Sequence, residues 1–117
     1  MKTAIEVIKI YLDNIWHEGD VELIRDYCAN PLVRHYQKKL VHLSHEEQIE
    51  RVKSQREEYA PVFENLVLSS DGEYVTLVYN TDCKNTDWKP SGIEVFKVTD
   101  GVITEVWNSS YIDGNWG

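Results

Sequence analysis

The stretch from Ser91 to Tyr111 constrains the fold most, because it predicts a β-hairpin. Two runs rich in valine, isoleucine and aromatic residues flank Thr99-Asp100-Gly101, a pattern typical of two antiparallel strands joined by a tight turn. A three-residue turn with Gly101 in the left-handed conformation would set Val98 opposite Val102. We favour this turn because it gathers the apolar side chains of both strands on one face.

Side chains alternate along each strand, so the pairing assigns two faces. One face would hold Glu94, Phe96, Val98, Val102, Thr104, Val106 and Asn108, and the other Ile93, Val95, Lys97, Ile103, Glu105 and Trp107. A two-residue turn at Asp100-Gly101 is the alternative, and it would pair Thr99 with Val102 and put Glu94 with Trp107. A carboxylate and an amide on an apolar face are costly unless they are partnered or used. The first face is therefore the predicted wall of a pocket.

Length and charge narrow the class of protein. The chain has 117 residues, enough for one domain, 1–117, with a single core. Its formal net charge of −8, from 20 acidic and 12 basic residues, argues against nucleic acid and anionic membrane surfaces as partners. No segment is apolar enough to span a membrane, and Glu6 argues against a signal peptide, so we expect a cytoplasmic protein. Cys28 and Cys83 match no metal or redox spacing and are expected to be free thiols.

Capping boxes and turn residues divide the rest of the chain. Thr3–Glu6 and Ser44–Glu47 each predict a helix start, with the helices ending near Gly19 and Tyr59. The other predicted elements are a short helix over Val21–Tyr27, a short strand over Leu32–Tyr36, and strands over Val62–Ser69 and Glu73–Asp82. Helices packed on one side of an antiparallel sheet make an α+β domain, and a strongly curved sheet would leave a cavity beneath them.

Three segments, Gly19-Asp20, Gly92–Val98 and Asp100–Trp107, carry a family resemblance. Together with the order of the elements, they resemble the nuclear transport factor 2-like superfamily, a cystatin-like cone, and within it the SnoaL-like polyketide cyclase and ketosteroid isomerase-like group. The resemblance implies N-terminal helices packed on a curved antiparallel sheet. This fold hosts isomerases, cyclases, hydrolases, dehydratases and non-catalytic binding domains, so the activity must be read from the site.

The resemblance also implies catalytic residues. Glu94 matches the carboxyl that donates to the substrate oxyanion in the isomerases, His35 matches their base, and Tyr11 falls within one residue of their oxyanion-hole tyrosine. Asn108 stands where the cyclases carry an acid/base aspartate, and an amide cannot exchange a proton at neutral pH. His35 could instead be a surface residue, since Tyr36 points the opposite way and either side chain could face the pocket.

The residues themselves support part of this assignment. Glu94 is a candidate for a buried carboxyl, either kept neutral to donate a hydrogen bond or poised as a general acid or base, and its structural alternative is a carboxylate paired with a basic or hydroxyl neighbour across the sheet. Predicted substrate-binding residues are Asn108, Tyr79, Phe96, Val106 and Leu77. His35, His42 and His45 fit no ligand spacing, so no metal site is predicted. Arg34, Lys38 and Lys39 form a short basic cluster that a solvated loop explains.

These observations predict an acid/base enzyme without a cofactor, an isomerase, cyclase or dehydratase acting on an apolar, carbonyl-bearing small molecule. The alternative is a non-catalytic dimeric binding or accessory protein, because no clear dyad is present. A hydrolase using an Asp-Arg-Asp set is less favoured, since no arginine follows Arg56. The outer hairpin face, with Ile93, Val95, Ile103 and Trp107, predicts a sheet-to-sheet homodimer. Trp88, in the loop 84–90, could act as a lid or as a dimer contact.

Overall fold

The helices begin where the capping boxes predict them. In the computed structural model, which describes residues 1–117, α1 spans Ala4–Ile10 and continues as a π-helical segment, Tyr11–His17. The Thr3 hydroxyl accepts from the Glu6 N–H at 3.2 Å, and the Glu6 carboxylate accepts from the Thr3 N–H at 2.9 Å. A 3₁₀ turn, Val21–Leu23, leads into the short α2, Ile24–Tyr27, and α3 spans His45–Tyr59. None of these helices has the length and apolar character that a membrane crossing requires.

The strands form one six-stranded sheet in the order β2-β1-β6-β5-β4-β3. Their bounds are β1 Cys28–Tyr36, β2 Lys39–Leu43, β3 Pro61–Asp71, β4 Tyr74–Cys83, β5 Ser91–Thr99 and β6 Val102–Tyr111. Neighbours are antiparallel except β1 and β6, which are parallel. The predicted α+β class is confirmed, whereas β2 was missing from the prediction and β1 begins at Cys28 rather than Leu32. We call the helix-covered face of the sheet the inner face and the opposite one the outer face.

The turn of the β5–β6 hairpin differs from the favoured prediction. It has two residues, Asp100 and Gly101, both with positive φ (52° and 78°), and Thr99 pairs with Val102. The three-residue turn was therefore wrong. Thr104 has no partner on β5 and forms a β-bulge, after which Phe96 pairs with Val106 and Glu94 with Asn108.

The bulge determines which side chains face inward. Beyond it, Glu94, Phe96, Val106 and Asn108 share one face, as predicted. Between the bulge and the turn the alternation is shifted, so Ile103 is fully buried in the core and not on the outer face as expected. The turn is one residue shorter than predicted, and the extra residue of the bulge, Thr104, compensates for this difference. Glu94 and Asn108 therefore still lie on the same face, as predicted.

The core lies between the first helix and the inner face. Its fully buried side chains include Val7, Ile8, Ile15, Val75, Leu77, Phe96, Ile103 and Val106. Cys28 and Cys83 are free thiols, as expected from the sequence, and both are buried. Burial raises the pKa of the Cys28 thiol to about 12, so this cysteine stays protonated and unreactive at neutral pH.

Candidate functional site

A cavity of about 180 Å³ opens between the helices and the inner face of the sheet. The first helix lines it with Tyr11, Leu12 and Trp16, α3 with Arg51, Gln55 and Tyr59, and the sheet chiefly with Arg34, Phe63, Leu77, Tyr79, Thr81, Glu94 and Asn108. Most of these side chains are aromatic or aliphatic, and only Arg34, Arg51 and Glu94 among the lining residues carry a charge. An apolar chamber with a few convergent polar groups is the usual form of a small-molecule site.

The charged centre of the cavity is an ion pair between Arg34 and Glu94. Arg34 on β1 reaches past β6, and its Nη2 donates to Glu94 Oε1 on β5 at 3.0 Å. The Arg34 side chain is 2 % exposed and that of Glu94 is 13 % exposed. Arg34 Nε donates to the Tyr36 hydroxyl at 3.0 Å, whereas Nη1 is buried without a hydrogen-bond partner.

Electrostatics keep this pair charged. Burial by itself lowers the pKa of Arg34, but the negative charge of Glu94, with Tyr11 and Tyr36, more than offsets it and leaves the pKa raised. A carboxylate beside a permanent cation gains Coulomb energy in its ionised form, the more so where water is excluded. This ion pair is the structural alternative predicted for Glu94 from the sequence, and it does not fit a neutral Glu94 that donates a hydrogen bond.

A second polar pair lies beside the first. The Tyr79 hydroxyl on β4 donates to Asn108 Oδ1 on β6 at 3.2 Å, passing over Gly92 on the strand between them. A side chain at Gly92 would place its Cβ 2.5 Å from the Tyr79 hydroxyl, so only glycine leaves room for this contact. Because Asn108 accepts through its oxygen, its amide N–H groups remain free to donate. Asn108 also pairs directly with Glu94 across the two strands, which brings a carboxylate and a donor to the same place.

Tyr11 lies on the helical wall of the cavity, as predicted. Its ring packs edge-on against Phe96 and Trp16, and its side chain is buried. Burial raises the pKa of Tyr11 and also that of Tyr79, because a phenolate would be held away from water. Both hydroxyls are therefore donors over the whole neutral range.

The structure does not bring His35 to this cavity. His35 lies on the outer face, where its ring stacks on Trp107 at 4.9 Å between centroids and its Nε2 lies 2.7 Å from Glu105 Oε2. Alternation along β1 points Arg34 inward and His35 outward, so the prediction that His35 acts with Glu94 is corrected. The alternative inward residue, Tyr36, contacts the Arg34 guanidinium but does not line the cavity.

Two predicted substrate-binding residues lie deeper than expected. Phe96 and Val106 are fully buried in the core and do not line the cavity, whereas Leu77, Tyr79 and Asn108 do. Phe96 and Val106 face inward as predicted, but the first helix packs directly over them, as the edge-on contact between Tyr11 and Phe96 shows. Phe96 and Val106 therefore belong to the core, and Phe96 packs against Tyr11, which lines the cavity.

Sequence reasoning missed the two arginines. Arg34 was taken as part of a solvated basic cluster, yet it is almost fully buried. The available signal was its place between Leu32 and Tyr36 on one face of a strand that must pack on the helices. Arg51 gives no such signal, because the apolar face of α3 is thin and its register on the sheet is set by tertiary contacts.

The mouth of the cavity is formed by the loop 84–90. Trp88 lines the opening, packs against Tyr59 at 5.2 Å between ring centroids, and donates through its indole N–H to the Ile112 carbonyl at 2.7 Å. The contact with the cavity fits a lid, one of the two predicted roles of Trp88, and both roles stay predictions.

Solved structures of similar shape define the fold. A provisionally assigned polyketide cyclase from Acidithiobacillus ferrooxidans has a TM-score of 0.77 at 20 % identity, covering 94 % of this chain and 89 % of that one. A provisionally assigned ketosteroid isomerase from Kribbella flavida has a TM-score of 0.78 at 13 % identity, with 97 % and 82 % covered. An LEH-like epoxide hydrolase from M. tuberculosis has a TM-score of 0.77 at 15 % identity, with 92 % and 82 % covered. No protein-family model matches the chain, and no curated protein does.

The chain therefore has the nuclear transport factor 2-like fold, and its structural neighbours include polyketide cyclase-like and ketosteroid isomerase-like proteins, as its sequence resemblance implied. Structures named for three different reactions share this architecture, so the reaction has to be argued from the residues of this cavity.

Proposed function

We propose that this protein is an enzyme that moves a proton within a small, largely apolar, carbonyl-bearing molecule, as an isomerase, cyclase or dehydratase does. The observation that carries the proposal is the Glu94 carboxylate, held by Arg34 on the wall of a cavity lined mainly by apolar side chains and directly opposite Asn108. These residues need no cofactor for such a step. We expect the protein to act in the cytoplasm, where buried free thiols stay reduced.

Glu94 is the proposed base. One of its oxygens is occupied by Arg34, and the other is free to take a proton from the carbon next to the substrate carbonyl. The ion pair fixes the carboxylate in one orientation, and the small exposed fraction of its side chain leaves it accessible from the cavity. Fixed orientation lowers the entropy cost of reaching the transition state.

Asn108 is the proposed donor to the substrate oxygen. Tyr79 fixes the amide by donating to its oxygen, so the N–H groups are the ones left for the ligand. Cross-strand neighbours have Cβ atoms roughly 4.5–5.5 Å apart, which allows a base and a donor to address an α-hydrogen and its carbonyl oxygen together. As negative charge develops on that oxygen, a preorganised donor stabilises it more than it stabilises the ground state. The Tyr11 hydroxyl, on the same wall, is the second candidate donor.

The volume limits the size of the molecule. About 180 Å³ is slightly more than the roughly 150 Å³ of an apolar cavity that holds one benzene. The enclosed part of the substrate is therefore about one ring with small substituents, and anything larger would extend past Trp88 at the mouth.

Exchange of α-hydrogens for deuterium tests the proposal. Monocyclic ketones and enones are incubated with the protein in heavy water, and loss of the α-proton signal is followed by ¹H NMR. We expect the wild-type protein to accelerate exchange and Glu94→Gln to reduce that acceleration by about 10²–10⁴-fold. Gln keeps an oxygen that accepts from Arg34 but leaves the Arg34 charge unpaired, so stability falls, and near-UV circular dichroism verifies that the variant is folded under the assay conditions.

Glu105→Gln is the matched control, because it makes the same chemical change on the outer face. Its exchange rate should equal that of the wild-type protein. A Glu94→Gln variant that exchanges α-protons as fast as the wild-type protein would exclude Glu94 as the base.

The second candidate function is binding without catalysis. Asn108 in place of an aspartate favours it, since one of the two positions suited to proton transfer carries an amide. This reading predicts that ring compounds of the same size bind to the cavity, while no member of the panel exchanges its α-protons faster than in buffer.

We further propose a homodimer formed through the outer face. Trp107, Ile93 and Tyr74 are 37 %, 39 % and 44 % exposed there, and the ring centroids of Tyr74 and Trp107 lie 6.3 Å apart, so these side chains form a patch and are not scattered singly. A shared sheet-to-sheet interface would cover all three side chains at once.

A further inference from the structure

We infer that the molecule held in this cavity carries a carboxylate and that Arg51 binds it; the inference rests on the proposed function and specifies its substrate class. It begins from the charges of the lining. Two arginines and one glutamate face the cavity, so it carries a net positive charge inside a protein whose formal net charge is −8. A cavity of opposite sign to the rest of the molecule attracts an anion.

Arg51 is the charge left without a partner. Its guanidinium forms no ion pair, although Glu46, Glu47 and Glu50 lie on the same helix: Glu46 pairs with Arg25 at 2.6 Å, Glu47 caps α3 through Ser44 at 2.9 Å, and Glu50 makes no salt bridge. By contrast Arg56, one turn further along α3, donates to the carbonyls of Trp16 and His17. A lining arginine without a protein acceptor is available to a ligand.

The position of Arg51 suits a carboxylate. Its guanidinium carbon lies over the Trp16 indole, 5.5 Å from the ring centroid, and Trp16 also lines the cavity. This cation–π contact uses none of the guanidinium N–H groups, so they remain able to make a two-point contact with an oxygen pair. The contact also restricts the long side chain, so less conformational freedom is lost when a ligand binds.

Glu94 does not repel such a ligand, because Arg34 neutralises it at 3.0 Å. Arg34 also retains one nitrogen, Nη1, that is sealed from solvent and has no acceptor. The Arg34–Glu94 pair is thus neutral with a donor to spare, and Arg51 supplies the net charge. One free guanidinium balances a single negative charge, which favours a monoanionic carboxylate over a phosphate dianion.

Binding of benzoate and of benzamide tests the inference. The two compounds have the same shape and a size that matches the cavity, and only benzoate is charged. We expect the wild-type protein to bind benzoate about tenfold or more tightly than benzamide, as followed by chemical-shift titration in ¹H–¹⁵N NMR spectra. Arg51→Gln should reduce the two affinities to within about twofold of each other.

Lys53→Gln is the matched control. It removes one positive charge from an exposed position of the same helix, so it should keep the benzoate preference if direct contact, and not long-range charge, is the cause. Equal binding of the two compounds by the wild-type protein would overturn the inference, and so would a preference that survives in Arg51→Gln.

This experiment separates the two proposals because it measures binding alone. Glu94→Gln should still prefer benzoate, since removing a negative charge from the cavity does not lower its affinity for an anion. If the preference is absent while neutral ketones still exchange α-protons through Glu94, the carboxylate inference fails and the proposed function stands. If the preference for benzoate is present and no compound exchanges its α-protons, the carboxylate inference stands and the proposed function fails.

Discussion

The two faces of the sheet carry two contacts between a basic side chain and a carboxylate that differ in what surrounds them. On the inner face Arg34 and Glu94 lie 3.0 Å apart with side chains 2 % and 13 % exposed, and on the outer face His35 and Glu105 lie 2.7 Å apart at 28 % and 33 %. The two β1 residues are sequence neighbours, and alternation sends them to opposite sides. The outer pair is the shorter one, yet water reaches it.

Burial and not distance therefore decides what each pair does. Water screens the outer pair, and exposed pairs of this kind contribute about 0–1 kcal/mol. The inner charges are cut off from water, so each depends on the other, and removing one strands its partner. Exclusion of water makes loss of either inner charge strongly destabilising, and it also strengthens the electrostatic interaction of the Glu94 carboxylate with a ligand.

The largest expected effect comes from removing the inner cation. Arg34→Met should lower the free energy of unfolding by about 3–5 kcal/mol, because it leaves the Glu94 carboxylate without its partner in a largely dry site. His35→Ala, at a protein concentration that keeps the proposed homodimer dissociated, should lower it by about 1 kcal/mol or less because water then reaches the outer pair. Urea unfolding followed by tryptophan fluorescence measures both.

A double variant sharpens the first result. Arg34→Met combined with Glu94→Leu removes both charges and should recover most of the lost stability, since no unpaired charge remains. If Arg34→Met and His35→Ala cost the same, the contrast between the two faces is wrong.

An intermediate effect is expected at the outer face. Trp107→Glu should raise the dissociation constant of the proposed homodimer about 30-fold, equivalent to about 2 kcal/mol, because it puts a charge where an apolar ring would be covered. Sedimentation equilibrium measures the change. Leu66→Glu, on the edge strand β3 with a similarly exposed side chain at 45 %, is the control and should leave the dimer intact. A wild-type protein that stays monomeric at high concentration would remove the role assigned to this face.

The smallest effect concerns the buried tyrosines at high pH. Since burial raises the pKa of Tyr79 above the ordinary 10.0, the unfolded chain releases this proton at a lower pH than the folded protein does. The stability is complete below pH 10 and is lost as the pH rises toward the folded-state pKa, by about 1.4 kcal/mol per pH unit for each such tyrosine.

Tyr79→Phe should therefore show a shallower loss of stability between about pH 10 and 11 than the wild-type protein. Tyr74→Phe, which alters a side chain 44 % exposed on the outer side, should follow the wild-type slope. Urea unfolding at closely spaced pH values compares the three slopes, and identical slopes would contradict the burial of the Tyr79 hydroxyl.

Local signals in the sequence predicted most of the architecture. The boxes at Thr3–Glu6 and Ser44–Glu47 place helix starts because their hydrogen bonds close within one turn. The strand β2 was missed because Lys39–Leu43 is a mostly exposed edge strand. Its hydrogen bonding to β1 stabilises the extended conformation, and its composition alone does not indicate a strand. Pairing of β1 with β6 joins distant parts of the chain, and no local pattern encodes it.

The site was predicted only in part, because some of its residues follow from local alternation and others depend on contacts between distant parts of the chain. Glu94, Asn108, Tyr79, Leu77 and Tyr11 were placed at the cavity by alternation or by the resemblance, and the structure brings them together. The prediction placed His35 at the cavity, whereas the structure places its neighbour Arg34 there. The predicted alternation of β1 was shifted by one residue because the start of this strand was misplaced. The Arg34–Glu94 pair joins positions 60 residues apart, so neither residue predicts the other.

The unpaired Thr104 has a further consequence for the history of the chain. Because Thr104 has no partner on β5, its removal would leave every pair of the hairpin matched, with the amide of Asn108 still toward the cavity and the indole of Trp107 still toward the outer face. A deletion between the bulge and Asn108 would instead turn the rest of β6 over and exchange these two side chains between the faces. The same loss of one residue is therefore tolerated at the bulge and disruptive two positions later.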